Sequence, residues 1–232
     1  MNFLKLSLIT ASLLLVGCGG SSDDSGSDAP EATSIEKAEE NFKAFGGAIS
    51  SSQELRNQNT KMKQLQKSES GNCDKGGSFS VNASDDGSNI SMSFNSCKFE
   101  DTYLNGAMTI VEYDDYHYKV EMANLTMKDS EEEIYFKSLV LEENELEYWS
   151  TIDGSIDITS KCFTGKYNIA TLEKMVEAQD ASDNLESGKV KLNGALYTFN
   201  NPNVTIQVGG KTKTITQTEL DEQMQSETTC KE

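Results

Sequence analysis

The sequence predicts a mainly β fold: an antiparallel meander sheet, open to curling into a half-barrel, packed on an N-terminal helix. Three observations predict it. From Gly77 onward apolar residues alternate with polar ones at a period of two, as in strands with one buried face. Before that point the apolar spacing is three and four, the period of a helix. The gaps between alternating runs are mostly short, which favours antiparallel neighbours over parallel crossover units. The 232 residues suit one domain, long enough to bury most of its foldable surface in one core.

The chain reads as four segments: 1–17, 18–33, 34–70 and 71–232. In the first, Lys5 precedes an apolar run, Leu6 to Val16, whose 11 residues fall short of the ~20 that cross a bilayer as a helix. It therefore reads as the core of a signal peptide. The run ends in Leu15-Val16-Gly17-Cys18, which resembles the bacterial lipobox. That resemblance implies a diacylglyceryl thioether on Cys18, which becomes the mature N-terminus and gains a further palmitate-type chain. Two or more such chains, at ~0.8 kcal/mol per buried CH₂, anchor firmly in a membrane. Gly19 and Gly20 follow, with no Asp at the second mature position. By the same resemblance this implies an outer-membrane destination, on either face of that membrane, in an envelope with a periplasm. The membrane is thus the first expected partner, held through Cys18.

From Gly19 to Thr33 the chain is rich in Gly, Ser and Asp and lacks large apolar residues, the composition of a flexible tether. Thr33 with Glu36 fits a capping box that opens the helical segment 34–70. Ile35, Ala38, Phe42, Phe45 and Ile49 then form one apolar stripe, suited to packing on the domain's own sheet. Gly46-Gly47 is expected to interrupt or kink this helix, and a weaker pattern resumes through Leu55, Met62 and Leu65.

The strands follow. Phe79, Val81 and Ala83 alternate, then Ile90, Met92 and Phe94, with the turn composition Ser84-Asp85-Asp86-Gly87 between them. Further runs carry Met108 and Ile110; Tyr118, Val120 and Met122; Ile134 and Phe136 with Leu139 and Leu141; Leu146, Tyr148 and Ile152. Ile156 and Ile158, Val190 and Leu192, and Val204, Ile206 and Val208 complete the series. Thr171 to Asp183 breaks the alternation and reads as a short helix or an exposed loop. Leu104-Asn105-Gly106-Ala107-Met108 echoes Leu192-Asn193-Gly194-Ala195-Leu196, as either a duplicated β unit or shared strand grammar.

With Cys18 assigned to lipid, Cys73, Cys97, Cys162 and Cys230 remain, an even number in an exported chain, permitting three pairings. The midpoint of Cys73 and Cys97 is residue 85, inside the turn cluster, so a hairpin folded there brings those thiols close, give or take a bulge near Gly76-Gly77. Elimination leaves Cys162 with Cys230. A metal site is disfavoured by the lack of C-x-x-C and by a single His.

The chemistry is sparse. His117 stands alone in Tyr116-His117-Tyr118 and reads as structural. Glu131-Glu132-Glu133 and Glu142-Glu143-Asn144-Glu145 lack calcium-loop spacing and read as solvated turns. Asn82 to Gly87 resembles the start of a calcium loop, but its twelfth position is Ser93. No nucleophile elbow, phosphate loop or dinucleotide fingerprint occurs, so no catalytic, metal or cofactor residues are assigned. A formal charge of −18, from 38 acidic against 20 basic residues, repels phosphate backbones and disfavours nucleic acid as a partner.

Residues 70–210, with their Cys, strand-turn-strand, Cys order and Gly-started strands, resemble β-rich exported lipoproteins of environmental bacteria that have no assigned activity. The expected role is a non-enzymatic, lipid-anchored envelope protein serving as a structural or interaction module. The alternative follows from a one-faced sheet under a helix, which looks like the half-barrels of periplasmic lipoprotein and glycolipid carriers. Met92, Met108, Met122 and Met127 lie on strands, where they suit either an ordinary core or an adaptable surface for acyl chains. The expected partner is accordingly another envelope protein or a hydrophobic ligand.

Overall fold

The computed structural model describes residues 30–62, 69–99, 102–160, 163–179 and 184–225, with backbone alone for 50–62 and 223–225. Leu15, Val16, Gly17, Cys18, Leu65, Cys162 and Cys230 lie outside the described residues, as does most of the tether.

Helix α1 (Ile35–Met62) begins at Ser34, whose Oγ accepts from the Lys37 N–H at 3.2 Å. The cap is therefore one residue later than Thr33, and no Glu occupies the reciprocal position. The reason lies in the preceding segment: the Ala32 N–H donates to the Asn193 carbonyl at 2.7 Å, tying it to the sheet. Glu36 sits in the first turn, its carboxyl held below the usual range by its own backbone N–H and by the Ser34 hydroxyl. The predicted stripe is real: Ile35, Ala38, Phe45 and Ile49 are buried and Phe42 packs against them. Gly46-Gly47 does not interrupt the helix. Two glycines cost a helix roughly 2 kcal/mol relative to Ala, which burial of Phe45, Ala48 and Ile49 offsets.

All twelve strands form one antiparallel sheet in sequential order: β1 (Glu69–Asn72), β2 (Ser78–Ala83), β3 (Asn89–Phe99), β4 (Thr102–Glu112), β5 (His117–Lys128), β6 (Glu132–Asn144), β7 (Trp149–Ser160), β8 (Thr164–Glu177), β9 (Leu185–Leu192), β10 (Ala195–Asn200), β11 (Asn203–Val208) and β12 (Lys211–Thr216). The meander is as predicted, and it is not closed: β1 and β12 are free edges. One face is apolar throughout, from Val81 on β2 to Val208 on β11, and it includes Met92, Met108, Met122 and Met127.

Register irregularities cross the central strands in line. They fall between Phe94 and Cys97 on β3, Asn105 and Ala107 on β4, and Phe136 and Ser138 on β6. Gly106 (φ 127°) and Gly154 (φ 146°) sit on this line, where a Cβ would lie 2.1 Å from the Asn124 carbonyl oxygen and 2.0 Å from that of Ser138. Only glycine fits there. Aligned bulges bend strands and increase their twist, so the line marks a crease across the sheet.

Three sequence expectations change. Thr171 to Glu177 is neither helix nor loop but the end of β8, whose pairing with β9 shifts register three times. Each shift resets the alternation, and the Thr171 hydroxyl replaces a ladder bond by accepting from the Ile152 N–H at 2.8 Å. Leu146 and Tyr148 occupy a turn, which Asn144 closes by accepting from the Leu146 and Glu147 N–H groups. The echoed pentapeptides differ: Gly106 is a mid-strand bulge, whereas Asn193 (φ 44°) and Gly194 (φ 80°) make the two-residue β9–β10 turn. The echo is shared local grammar, not a duplicated unit.

Helix α2 (Gln217–Gln225) escaped the sequence reading. Its signal was present in Thr216 and Glu219, a reciprocal capping box: the Thr216 N–H donates to Glu219 at 2.8 Å, and the Glu219 N–H to Thr216 Oγ1 at 3.1 Å. Buried Gln217 then holds the helix to β9 through both the N–H and the carbonyl of Leu185, each at 2.8 Å. Helix α1 lies over β9, β11 and β12, fixed by the Tyr197 hydroxyl donating to the Ala38 carbonyl at 2.7 Å. The Lys213–Glu39 ion pair, 2.5 Å, ties β12 to the same helix.

Candidate functional site

Where α1 bridges the sheet, its stripe does not fill the space beneath it. Phe42, Phe45 and Ile49 from above face Ile169, Val190 and Phe199 from below across an apolar cavity of about 130 Å³. Met175, Leu141 and Ile152 line its side and Leu220 of α2 one end. Gly46 also faces it, so the absence of a side chain in the helix helps to leave the space open. The volume is close to that of an apolar cavity of roughly 150 Å³ that stays dry and admits a benzene-sized group. It suits one apolar group or the end of a chain.

The polar residues that line the cavity are Glu142, Glu143, Ser150, Thr151, Gln217 and Asp221. Glu142 and Glu143 do not form a solvated turn as expected; both are on β6, and Glu143 is buried. The alternation of β6 explains this, because Leu139, Leu141 and Glu143 share the inner face. Glu143 accepts a short hydrogen bond from the Tyr118 hydroxyl on the neighbouring strand. Glu142, on the outer face, meets His117 Nε2 at 2.7 Å. His117 is also packed between Tyr113, 4.5 Å between ring centroids, and Trp149 at 5.4 Å.

Of the cysteines, Cys73 and Cys97 form a disulfide with Cα atoms 5.4 Å apart, the predicted pair. The register that brings them together carries the irregularity near Gly76-Gly77 that the sequence allowed for. The β2–β3 pairing runs from Ser78↔Asn95 to Ala83↔Ile90, centred just beyond residue 85, and Cys73 belongs to the preceding turn. That turn folds against β3 through Lys75 N–H to Lys98 O and Lys98 N–H to Gly76 O. The Ser84–Gly87 hairpin turn is as read: Asp86 accepts from the Ser84 and Ser88 hydroxyls and the Ser88 N–H. Those bonds lower its carboxyl to about 2. Glu131 to Glu133 mark the β5–β6 turn, where Glu133 pairs with Lys128 at 2.7 Å.

Among the described residues no group of three His, Cys, Asp or Glu side chains could hold a metal ion, and no helix is long and apolar enough to cross a membrane. The cavity was not legible in the sequence, because its walls come from seven elements whose register had to be known first. No protein-family model, no curated protein and no solved structure matches this chain.

Proposed function

We propose that this protein is an envelope lipoprotein, anchored through Cys18, that acts without catalysis as a binding module for a hydrophobic ligand. In this reading the creased sheet is a half-barrel, α1 is its lid, and the end of an acyl chain or a similar apolar group enters the cavity between them. The observation that carries it is the apolar cavity between Phe42, Phe45 and Ile49 of α1 and the inner face of β8–β10. Apolar surface left uncovered beneath a helix costs stability unless something fills it, at roughly 25 cal/mol per Å². Carboxylates of Glu142, Glu143 and Asp221 among the lining residues support an amphipathic ligand whose polar head meets them while its tail is buried. The anchor rests on the lipobox reading of Leu15-Val16-Gly17-Cys18, which would keep such a module beside the source of its ligand.

The test is titration of the chain from Gly19 onward with N-phenyl-naphthylamine, whose fluorescence rises in apolar surroundings. Leu185→Phe and Val190→Phe each place a ring in the cavity. Both variants are expected to weaken dye binding about tenfold while still melting cooperatively, the loss of one well-packed apolar contact. Equal binding by wild type and both folded variants would rule the cavity out.

A further inference from the structure

Five large apolar side chains are strongly exposed among the described residues, and four of them share one end of the sheet: Tyr113 (53%), Tyr116 (50%), Leu146 (67%) and Tyr148 (44%). They sit on two adjacent hairpin tips, β4–β5 and β6–β7, which are bonded into one ledge. The Glu145 N–H donates to the Tyr116 carbonyl at 2.8 Å, and the Glu177 N–H to the Tyr148 carbonyl at 2.9 Å. Each tip is locked. Asp114 accepts from the Tyr116 and His117 N–H groups, both at 2.8 Å, and Asn144 closes the second tip in the same manner. Exposed rings on fixed turns lose little entropy when a partner covers them.

The ledge is also strongly acidic. Positions 112–119, 142–149 and 174–177 carry eight carboxylates and two lysines. One of those lysines shows what the ledge accepts: Lys174 Nζ lies 3.2 Å from the centroid of the Trp149 ring. Trp149 Nε1 in turn donates to Glu147 at 2.7 Å, so one cation, one ring and one carboxylate already form a unit.

We propose that this ledge is a docking surface for a Lys/Arg-rich segment of a partner protein. Guanidinium and ammonium heads lie on Tyr113, Tyr116 and Tyr148, and the surrounding carboxylates supply the attraction. An anionic membrane surface is excluded by the same carboxylates, and a purely apolar partner would strip water from them without replacement. The proposal rests on the exposed turn residues and does not require a ligand in the cavity, although Glu142 and Glu143 border both.

The test titrates the full chain in mild detergent with a fluorescent Arg-Gly repeat octapeptide and, separately, with phosphatidylcholine vesicles. Tyr113→Ala/Tyr116→Ala/Tyr148→Ala removes the rings and leaves the charge. Glu131→Gln/Glu133→Gln removes charge at the opposite ends of β5 and β6. The triple variant is expected to bind the peptide about tenfold more weakly, while the charge variant changes less than about twofold. Affinity is also expected to fall as salt rises. Equal weakening by both variants, or none by the triple variant, means that net charge alone attracts the peptide and overturns the proposal. Loss of vesicle binding with peptide binding intact overturns it in favour of a membrane-facing ledge. Tyr116→Ala alone, read the same way, decides the matter if the triple variant loses its melting transition.

Discussion

Asp86 joins the two strands that frame the disulfide, and its chemistry makes the turn sensitive to acid. Hydrogen bonds from the Ser84 hydroxyl and from the Ser88 N–H and hydroxyl hold its carboxyl at about 2, against an ordinary 3.8. The folded state therefore releases this proton more readily than the unfolded one. Its stabilisation is complete above the unfolded value of 3.8 and is lost as pH falls toward 2. Melting curves of wild type and Asp86→Asn should differ at neutral pH and converge in that window. Tyr197 behaves in the opposite sense. Burial first, and then the charge of Glu39, raise its hydroxyl above the usual 10.0, so its contribution is present below pH 10 and fades in stronger alkali. Tyr197→Phe removes the bond to the Ala38 carbonyl and should cost about 1 kcal/mol in urea unfolding at neutral pH. It should also flatten the alkaline loss that wild type shows.

Within the elements, the clearest determinants are the creases. Gly106→Ala and Gly154→Ala each force a Cβ against a neighbouring carbonyl at a backbone angle that L residues rarely adopt. Each should destabilise by about 2 kcal/mol or more in urea titration. The Cys73–Cys97 bridge spans 24 residues, so chain entropy assigns it roughly 3.5 kcal/mol, and Cys73→Ser/Cys97→Ser should lose most of that. These elements also show what a sequence can disclose. Val81, Met92 and Ile110 announced their strands because a clean period of two survives between bulges, and the helical stripe from Ile35 to Ile49 was equally plain. The end of β8 was hidden because Thr171, Glu173 and Val176 each stand at a register shift, which scrambles the period. Helix α2 was hidden by brevity, with Leu220 its only fully buried apolar residue described. The pairing of Cys73 with Cys97 was legible because the turn composition around residue 85 sets the hairpin, and a turn at Gly76-Gly77 absorbs the offset. The cavity and the aromatic ledge were illegible for a common reason: both are assembled across strands by register and bulges, which residue type alone does not encode.

At the scale of the whole molecule, strands β2 to β11 present one largely apolar face, and one long helix with a short second one covers the β9–β12 end of the sheet. The aligned bulges on β3–β7 are sites where such a sheet bends. The cavity lies between α1 and the inner face of the sheet. The lipobox reading adds a membrane tie, testable by growing cells with radiolabelled palmitate: wild type should take up label and Cys18→Ser should not. Ligand capture by the half-barrel is the central claim, and native mass spectrometry of the full chain purified from producing cells examines it most directly. We expect a second mass series heavier by one noncovalent lipid-sized ligand, absent from Val190→Phe. A single ligand-free series, unchanged after incubation with a long-chain fatty acid, would contradict the account.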